Sequence, residues 1–304
     1  MFCLALEEGI AVDLVTELIR MFRLRPPQEA TDTWPWPVRI STFGRFAVQV
    51  SGEKLEFSRK LPRKTLLLLK AIVSLGGQDI PEQMLCDALW GDEEGDAARN
   101  ALSVSISRLR KLLGTNDAVQ QQGGKVSLDR EVCWVDAWCF ENRLLAEPSR
   151  LTQALGLYGG TFLPEDQGEA WSVATRERLR GKFIHALSSY GQELEKEASP
   201  DAAIQCYQRG VDADPIVEEF HVGLMRCYER MGRRTEALSV YRRMKHTLSV
   251  VLGVPPSEAS QMYFQDLLNR QVQDGSGAAV ASQTGSAATI TLLPARRSGS
   301  RRRE

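Results

Sequence analysis

Three histidines, six cysteines and thirty-nine carboxylates are the usual raw material of catalysis, and this 304-residue chain arranges none of them for it. His185, His221 and His246 lie far apart, in no HExxH and no Cys/His cluster, so each reads as a surface or core side chain and not as a metal ligand. Cys3, Cys86, Cys133, Cys139, Cys206 and Cys227 form no CxxC pair, and such scattered spacing reads as buried reduced thiols. Gly124-Lys125 and Gly181-Lys182 lack the further glycine and the Ser or Thr of a phosphate loop, and no GxSxG elbow occurs. The chain reads as a non-enzyme without a cofactor.

A different chemistry is legible between residues 99 and 111. At 100° per residue, Ile106, Leu109 and Leu113 fall within about 40° of Leu102 and form a core stripe. The opposite face carries Asn100, Ser103, Val104, Ser107, Arg108 and Lys111, with Arg99 and Arg110 on one flank. In a major groove Asn reads adenine, Ser reads several base edges and Val touches a thymine methyl. Arg and Lys hold phosphates. Asn100, Ser103, Val104 and Ser107 are therefore expected to face bases, and Arg99, Arg108, Arg110 and Lys111 mainly phosphates. Taken alone, the same face suits any solvated helix, so the neighbouring elements must decide.

Arg39–Phe43 and Arg45–Val50 predict strands about Gly44, and Lys54–Phe57 a third after the turn at Ser51-Gly52, making a small antiparallel sheet. Three helices are predicted next. The first follows Pro62, carries Leu66, Leu67, Leu69, Ile72 and Val73, and ends at Gly76-Gly77. The second starts at Pro81, carries Met84, Leu85 and Leu89, and ends near Trp90-Gly91. The third runs from Asp96 as N-cap to Gly114. Val119–Gln122, Gly123-Gly124 and Lys125–Leu128 then form a hairpin leading to a last strand near Val132–Val135. Sheet, three helices and hairpin, in that order, make a winged helix whose third helix reads DNA. Lys125, beside the hairpin tip with Gln121 and Gln122, is the candidate wing contact.

The net charge of -1 says nothing about partners, but its distribution does. Residues 59–70 carry Arg59, Lys60, Arg63, Lys64 and Lys70 and no acid, which predicts a basic surface. Residues 79–96 carry seven acids and no base. A basic surface attracts phosphates, whereas an acidic loop held elsewhere is repelled by them.

Residues 1–25 predict one amphipathic helix, with Ile10, Leu14, Leu18 and Phe22 every four residues and Val15 and Ile19 beside them. Pro26-Pro27 ends it, and Trp34-Pro35-Trp36-Pro37 must be extended. Such a helix either docks on the body or belonged to a larger domain. From about Asp136 to Arg270 the pattern is helical. Ala203-Ile204-Gln205-Cys206-Tyr207 repeats as Ala237-Leu238-Ser239-Val240-Tyr241, an offset of 34, the period of tetratricopeptide repeats. Gly191 and Pro215 fit the first copy, and Leu224, Tyr228 and Gly232 the second. The late Pro255-Pro256 predicts that the second helix of the second copy is extended. Tyr207, Tyr228 and Tyr241 read as packing residues, and Trp171, Leu179, Phe183 and Leu187 as the stripe that completes the bundle. Residues 271–304 read as a disordered tail ending in Arg301-Arg302-Arg303. No stretch approaches 18 apolar residues, and Glu7 and Glu8 without an early base exclude a secretory signal, so no membrane association and a cytoplasmic location are expected. The fold class is mainly α with a small β component, divided at 1–37, 38–136, 137–270 and 271–304.

Two modules resemble those of a known family. Ala98–Leu102 with Val104–Leu113 is similar to the recognition helix of antibiotic-regulatory-type activators, and Leu85 to Leu89-Trp90-Gly91 to the helix before it. Asp136 onward, including Phe162-Leu163-Pro164 and the paired repeats, resembles their bacterial transcriptional activator domain. The resemblance covers about residues 38–270; Ser103 and Ser105 stand where relatives often carry longer polar residues. It implies an OmpR-type winged helix that binds direct-repeat promoter DNA, a tetratricopeptide-like domain that pairs subunits as a homodimer on DNA, and recruitment of RNA polymerase on the bacterial nucleoid. It also implies that the loop Trp90–Asp96, with Asp92, Glu93 and Glu94, contacts the polymerase. The N-terminal helix with its Trp-Pro pairs resembles the junction in large regulators that carry an ATPase and sensor domain, so the chain is either a stand-alone activator or a C-terminal part. The alternative is a tetratricopeptide-type protein–protein adaptor with a degenerate DNA-binding domain.

Overall fold

The computed structural model describes residues 1–22, 24–27, 32–56, 63–145, 151–197 and 199–283, the last thirteen as backbone only. The expected N-terminal helix is two: α1 (Phe2–Glu7) and α2 (Val12–Met21). Gly9 at φ 70° and Ala11 at φ 47° break it, because a left-handed residue ends the α-helical ladder. The inward face also differs from the four-residue stripe. Val15 and Ile19 are buried, while Ile10, Leu14 and Phe22 stay exposed. With Leu6 they pack on Trp34, Trp36 and Trp134, forming a small core of their own. The segment thus docks on the body.

β1 (Val38–Ser41), β2 (Ala47–Val50) and β3 (Glu53–Lys54) follow. β1 and β2 pair antiparallel, Val38 opposite Val50, but the sheet is not purely antiparallel as expected: β7 (Cys133–Val135) adds parallel to β1, Ile40 opposite Val135. β1 stops before Thr42 because the amides of Thr42 and Phe43 donate to Asp136 Oδ2 at 2.7 and 3.1 Å. The third strand lies earlier than expected, and Phe57 falls outside the described residues, as do Arg59 and Lys60 of the basic run.

α3 (Arg63–Ser74), α4 (Glu82–Trp90) and α5 (Gly95–Leu112) pack beneath a second sheet of order β4-β6-β5, with β4 Ile80–Pro81, β5 Val119–Gln122 and β6 Lys125–Leu128. β4 was not anticipated: its two residues add to the open edge of β6, Ile80 opposite Val126. Gly123 and Gly124, at φ 59° and 72°, make the two-residue turn that glycine favours. Asp96 is not the N-cap of α5: Glu94 holds that position, and Asp96 lies in the first turn.

α6 (Asp136–Leu144), α7 (Leu151–Leu157), α8 (Ala170–Lys196), α9 (Pro200–Ala213), α10 (Glu218–Arg230), α11 (Arg234–Val251) and α12 (Glu258–Gln283) build the helical part. Trp171, Leu179, Phe183 and Leu187 are buried on α8. Tyr207 is 1% exposed and sits where Gly191 and Gly223 leave room, since a Cβ at either would come within 2.6 Å of its ring. Tyr241 is buried and stacks on Phe264 at 3.9 Å, while Tyr228 is half-buried. α11 is the extended member of the repeat pair, and α12 runs into the stretch expected to be a structureless tail. Residues 284–304, with the arginine run, lie outside the described residues.

The two halves meet through a dense junction. Phe43 meets Tyr158 at a tilt (4.7 Å), Tyr158 stacks on Phe183 (3.9 Å), and Phe183 meets Phe220 edge-on. Gly44, at φ 70°, approaches so closely that a Cβ there would sit 2.7 Å from the Gly159 carbonyl oxygen. Arg176 of α8 donates to the carbonyls of Phe162, Leu163 and Asp166. Lys70 corrects an expectation: it is not part of a basic surface but is buried, with Nζ 2.6 Å from Asp166 Oδ2.

Candidate nucleic-acid interface

α5 exists because Leu102, Ile106, Leu109 and Leu113 repeat at helical spacing, and all four are at most 1% exposed. Burial of that stripe fixes the opposite face outward. Asn100, Ser103, Ser107, Arg108 and Lys111 are exposed, and so is Val104 at 47%. Glu94 and Asp96 at its start and Arg110 and Lys111 at its end match the helix dipole.

The cations differ in their freedom. Arg99 is exposed and lies 3.7 Å from Asp96 one turn back. Arg110 is half-buried, and its Nε donates to the Val119 carbonyl at 2.9 Å, so it ties the helix to the hairpin. Arg108 and Lys111 border a shallow concavity of about 500 Å³ with Ser107, Thr115 and Asn116. Thr115 and Asn116 were not singled out from the sequence; the positive φ of Gly114 turns the chain so that they sit beside the end of α5. Lys125, at the start of β6, reaches to 3.9 Å from Asp79. Gln121 at the same hairpin donates to Glu82 at 2.9 Å, bracing the wing on α4.

Asp92, Glu93 and Glu94 occupy the short turn between α4 and α5, all three exposed. They stand at the opposite end of α5 from Arg108 and Lys111, which separates the acidic and basic surfaces. Among the described residues no cluster of three metal-ligating side chains occurs, and no helix is long and apolar enough to cross a membrane. All six cysteines are free, but not all are buried as expected: Cys3 and Cys139 are half-buried and the other four buried. Burial pushes the Cys133 thiol up to about 12 and those of Cys206 and Cys227 to about 11, which keeps them protonated and unreactive. His221 is buried with Nε2 2.9 Å from the Pro215 carbonyl, whereas His185 and His246 are on the surface.

Residues 58–123 match the family described as "Transcriptional regulatory protein, C terminal", and residues 141–268 the "Bacterial transcriptional activator domain". Regulatory protein AfsR of Streptomyces coelicolor is 28% identical over 291 residues, which are 89% of this chain and 28% of AfsR. Transcriptional regulatory protein EmbR of Mycobacterium tuberculosis is 26% identical over 263 residues, 77% of this chain and 64% of EmbR. Transcriptional regulator RedD of Streptomyces coelicolor is 28% identical over 218 residues, 64% of this chain and 60% of RedD. The chain therefore spans only part of the length of these relatives. A solved structure of EmbR with a low-affinity phosphopeptide superposes with a TM-score of 0.57 over 83% of this chain and 72% of that one; at 19% identity it shows a shared fold. Both modules are thus matched in the order in which the sequence carries them, an OmpR-type winged helix followed by a bacterial transcriptional activator domain, and the chain is similar over both to regulators of the antibiotic-regulatory-protein type.

Proposed function

We propose that the chain is a sequence-specific activator that lays α5 in the major groove of promoter DNA. Asn100, Ser103, Val104 and Ser107 face base edges, Arg99, Arg108 and Lys111 hold phosphates, and Lys125 touches the backbone from the wing. The observation that carries this reading is the outward face of α5: small and polar along its length, exposed, and ending in unburied cations. The exposed acids Asp92, Glu93 and Glu94 are repelled by DNA and complement a basic surface of RNA polymerase. The helical part pairs two copies as a homodimer on direct repeats, where the second contact gains a high effective concentration. The setting is the bacterial cytoplasm, on the nucleoid.

Chromatin immunoprecipitation with sequencing of the tagged full chain tests this. Enrichment is expected at promoters with repeated half-sites. Binding to an enriched fragment is expected to weaken roughly 10³-fold or more between 50 and 200 mM salt, as several phosphate contacts require. No enriched promoter, and no fragment bound at any salt, would identify a protein–protein adaptor instead.

A further inference from the structure

Beneath the N-terminal segment lies a cavity of about 310 Å³, a size that suits a small ligand. Pro26, Pro27 and Trp36 line it from the N-terminal segment, and Trp134 of β7 with Trp138 and Asn142 of α6 line it from the body. Arg130, just after the wing strand β6, stands at the same cavity with its guanidinium 4.9 Å from the Trp138 ring centroid. The Arg39 guanidinium lies over Trp134 at 4.3 Å as Arg130 lies over Trp138, so a planar ring stacks on the indole surface that these two leave uncovered.

The walls also carry donors without acceptors. The indole Nε1–H groups of both Trp134 and Trp138 are buried and find no hydrogen-bond partner among the described residues. Trp134 is only 7% exposed. Burial pushes the Cys139 thiol up and the Trp134 indole opposes that shift, yet a thiol sulfur is a weak acceptor and the contact falls short of a hydrogen bond. Native structures leave few buried N–H groups unpaired, and two beside one cavity call for an acceptor.

We propose that this cavity binds a small planar aromatic molecule bearing hydrogen-bond-accepting oxygens, such as ring carbonyls or phenols. Its ring stacks on the indole surface that Arg39 and Arg130 leave uncovered, and a small turn of Trp134 brings its N–H onto an oxygen. The Asn142 amide is exposed at the mouth and free to meet a second polar group. A bound molecule touches the N-terminal segment, β7 and the turn after the wing at once, so occupancy holds that segment against the DNA-binding part.

The test uses the full chain without DNA, so its failure and a failure of the DNA-binding reading are distinguishable. Isothermal titration with the flavone chrysin, a planar tricycle with one ring carbonyl, is expected to give saturable one-to-one binding. Octanoate, apolar but without a ring, is expected to give none. Asn142→Trp fills the mouth from an exposed position and is expected to weaken chrysin at least tenfold with an unchanged melting temperature. Trp134→Phe keeps a ring, removes the N–H and is expected to weaken it about fivefold, the size of one neutral hydrogen bond. Absence of saturable binding, equal binding of octanoate, or unchanged affinity in both variants would overturn the proposal.

Discussion

In the proposed complex base selection depends most on Asn100, because only its amide can make a two-point contact to adenine from this face of α5. Asn100→Ala is expected to cost about 1–3 kcal/mol on the cognate site and to relax preference at one base position, measured by competition binding with a substituted-site library. Lys111→Ala is expected to weaken all sequences about equally and to flatten the salt dependence by about one charge. Arg110 separates from this group. Its Nε is committed to the Val119 carbonyl, so Arg110→Ala is expected to lower stability by about 1 kcal/mol, read from denaturant melts. His221 gives a pH signature. Burial lowers its pKa from the usual value, and the nearby Arg243 on α11 lowers it further, while the Pro215 carbonyl and Glu218 act the other way. The folded state then binds the proton less readily than the unfolded chain. Stability is full above the unfolded value of about 6.5 and falls as pH drops below it; His221→Gln is expected to flatten that slope in melts from pH 7.5 to 5.5.

Among the elements, α5 was legible because its signal is local: four apolar side chains at helical spacing settle which face is buried, whatever lies beyond. The hairpin was legible for the same reason, through Gly123-Gly124. The end of β1 was not, because it is set by Asp136, 94 residues away, which captures the amides a longer strand would have used. Lys70 illustrates the same limit for charge. A run of bases reads as surface until a partner on a distant segment, here Asp166, draws one of them inside. The N-terminal stripe at every fourth residue misled because Gly9 and Ala11 interrupt the helix and reset its phase. The turn between α4 and α5 yields a prediction at this scale. Replacing Asp92, Glu93 and Glu94 together by Ala is expected to leave DNA affinity unchanged or slightly raised and to reduce transcription in a reconstituted assay with polymerase. Equal transcription from both proteins would reject the contact.

At the scale of the whole molecule, the winged helix and the helical bundle form one packed unit. The aromatic run from Phe43 through Tyr158 and Phe183 to Phe220, the Gly44 approach and the Lys70–Asp166 pair all cross the junction. A lone winged helix cut at residue 136 would expose Phe43 and leave Lys70 without its carboxylate, so paired binding is best examined in the intact chain. Lys70→Ala is expected to destabilise by about 3–5 kcal/mol, because it leaves Asp166 buried and unpaired, whereas Lys70→Met with Asp166→Leu is expected to recover most of that loss in a thermal melt. If two copies pair through the helical part as proposed, a junction packed this closely holds each α5 fixed relative to the pairing surface, and tandem sites are expected to be bound with a sharp preference for one spacing. The most direct test of how the protein reads DNA is a footprinting titration on an enriched promoter fragment with the intact chain and with Asn100→Ala/Arg108→Ala, whose altered side chains are exposed and whose fold is expected to be unchanged. Loss of the protected repeats in the double variant at concentrations that saturate the parent is expected; the same protected bases at unchanged affinity would show that α5 is not the reading helix.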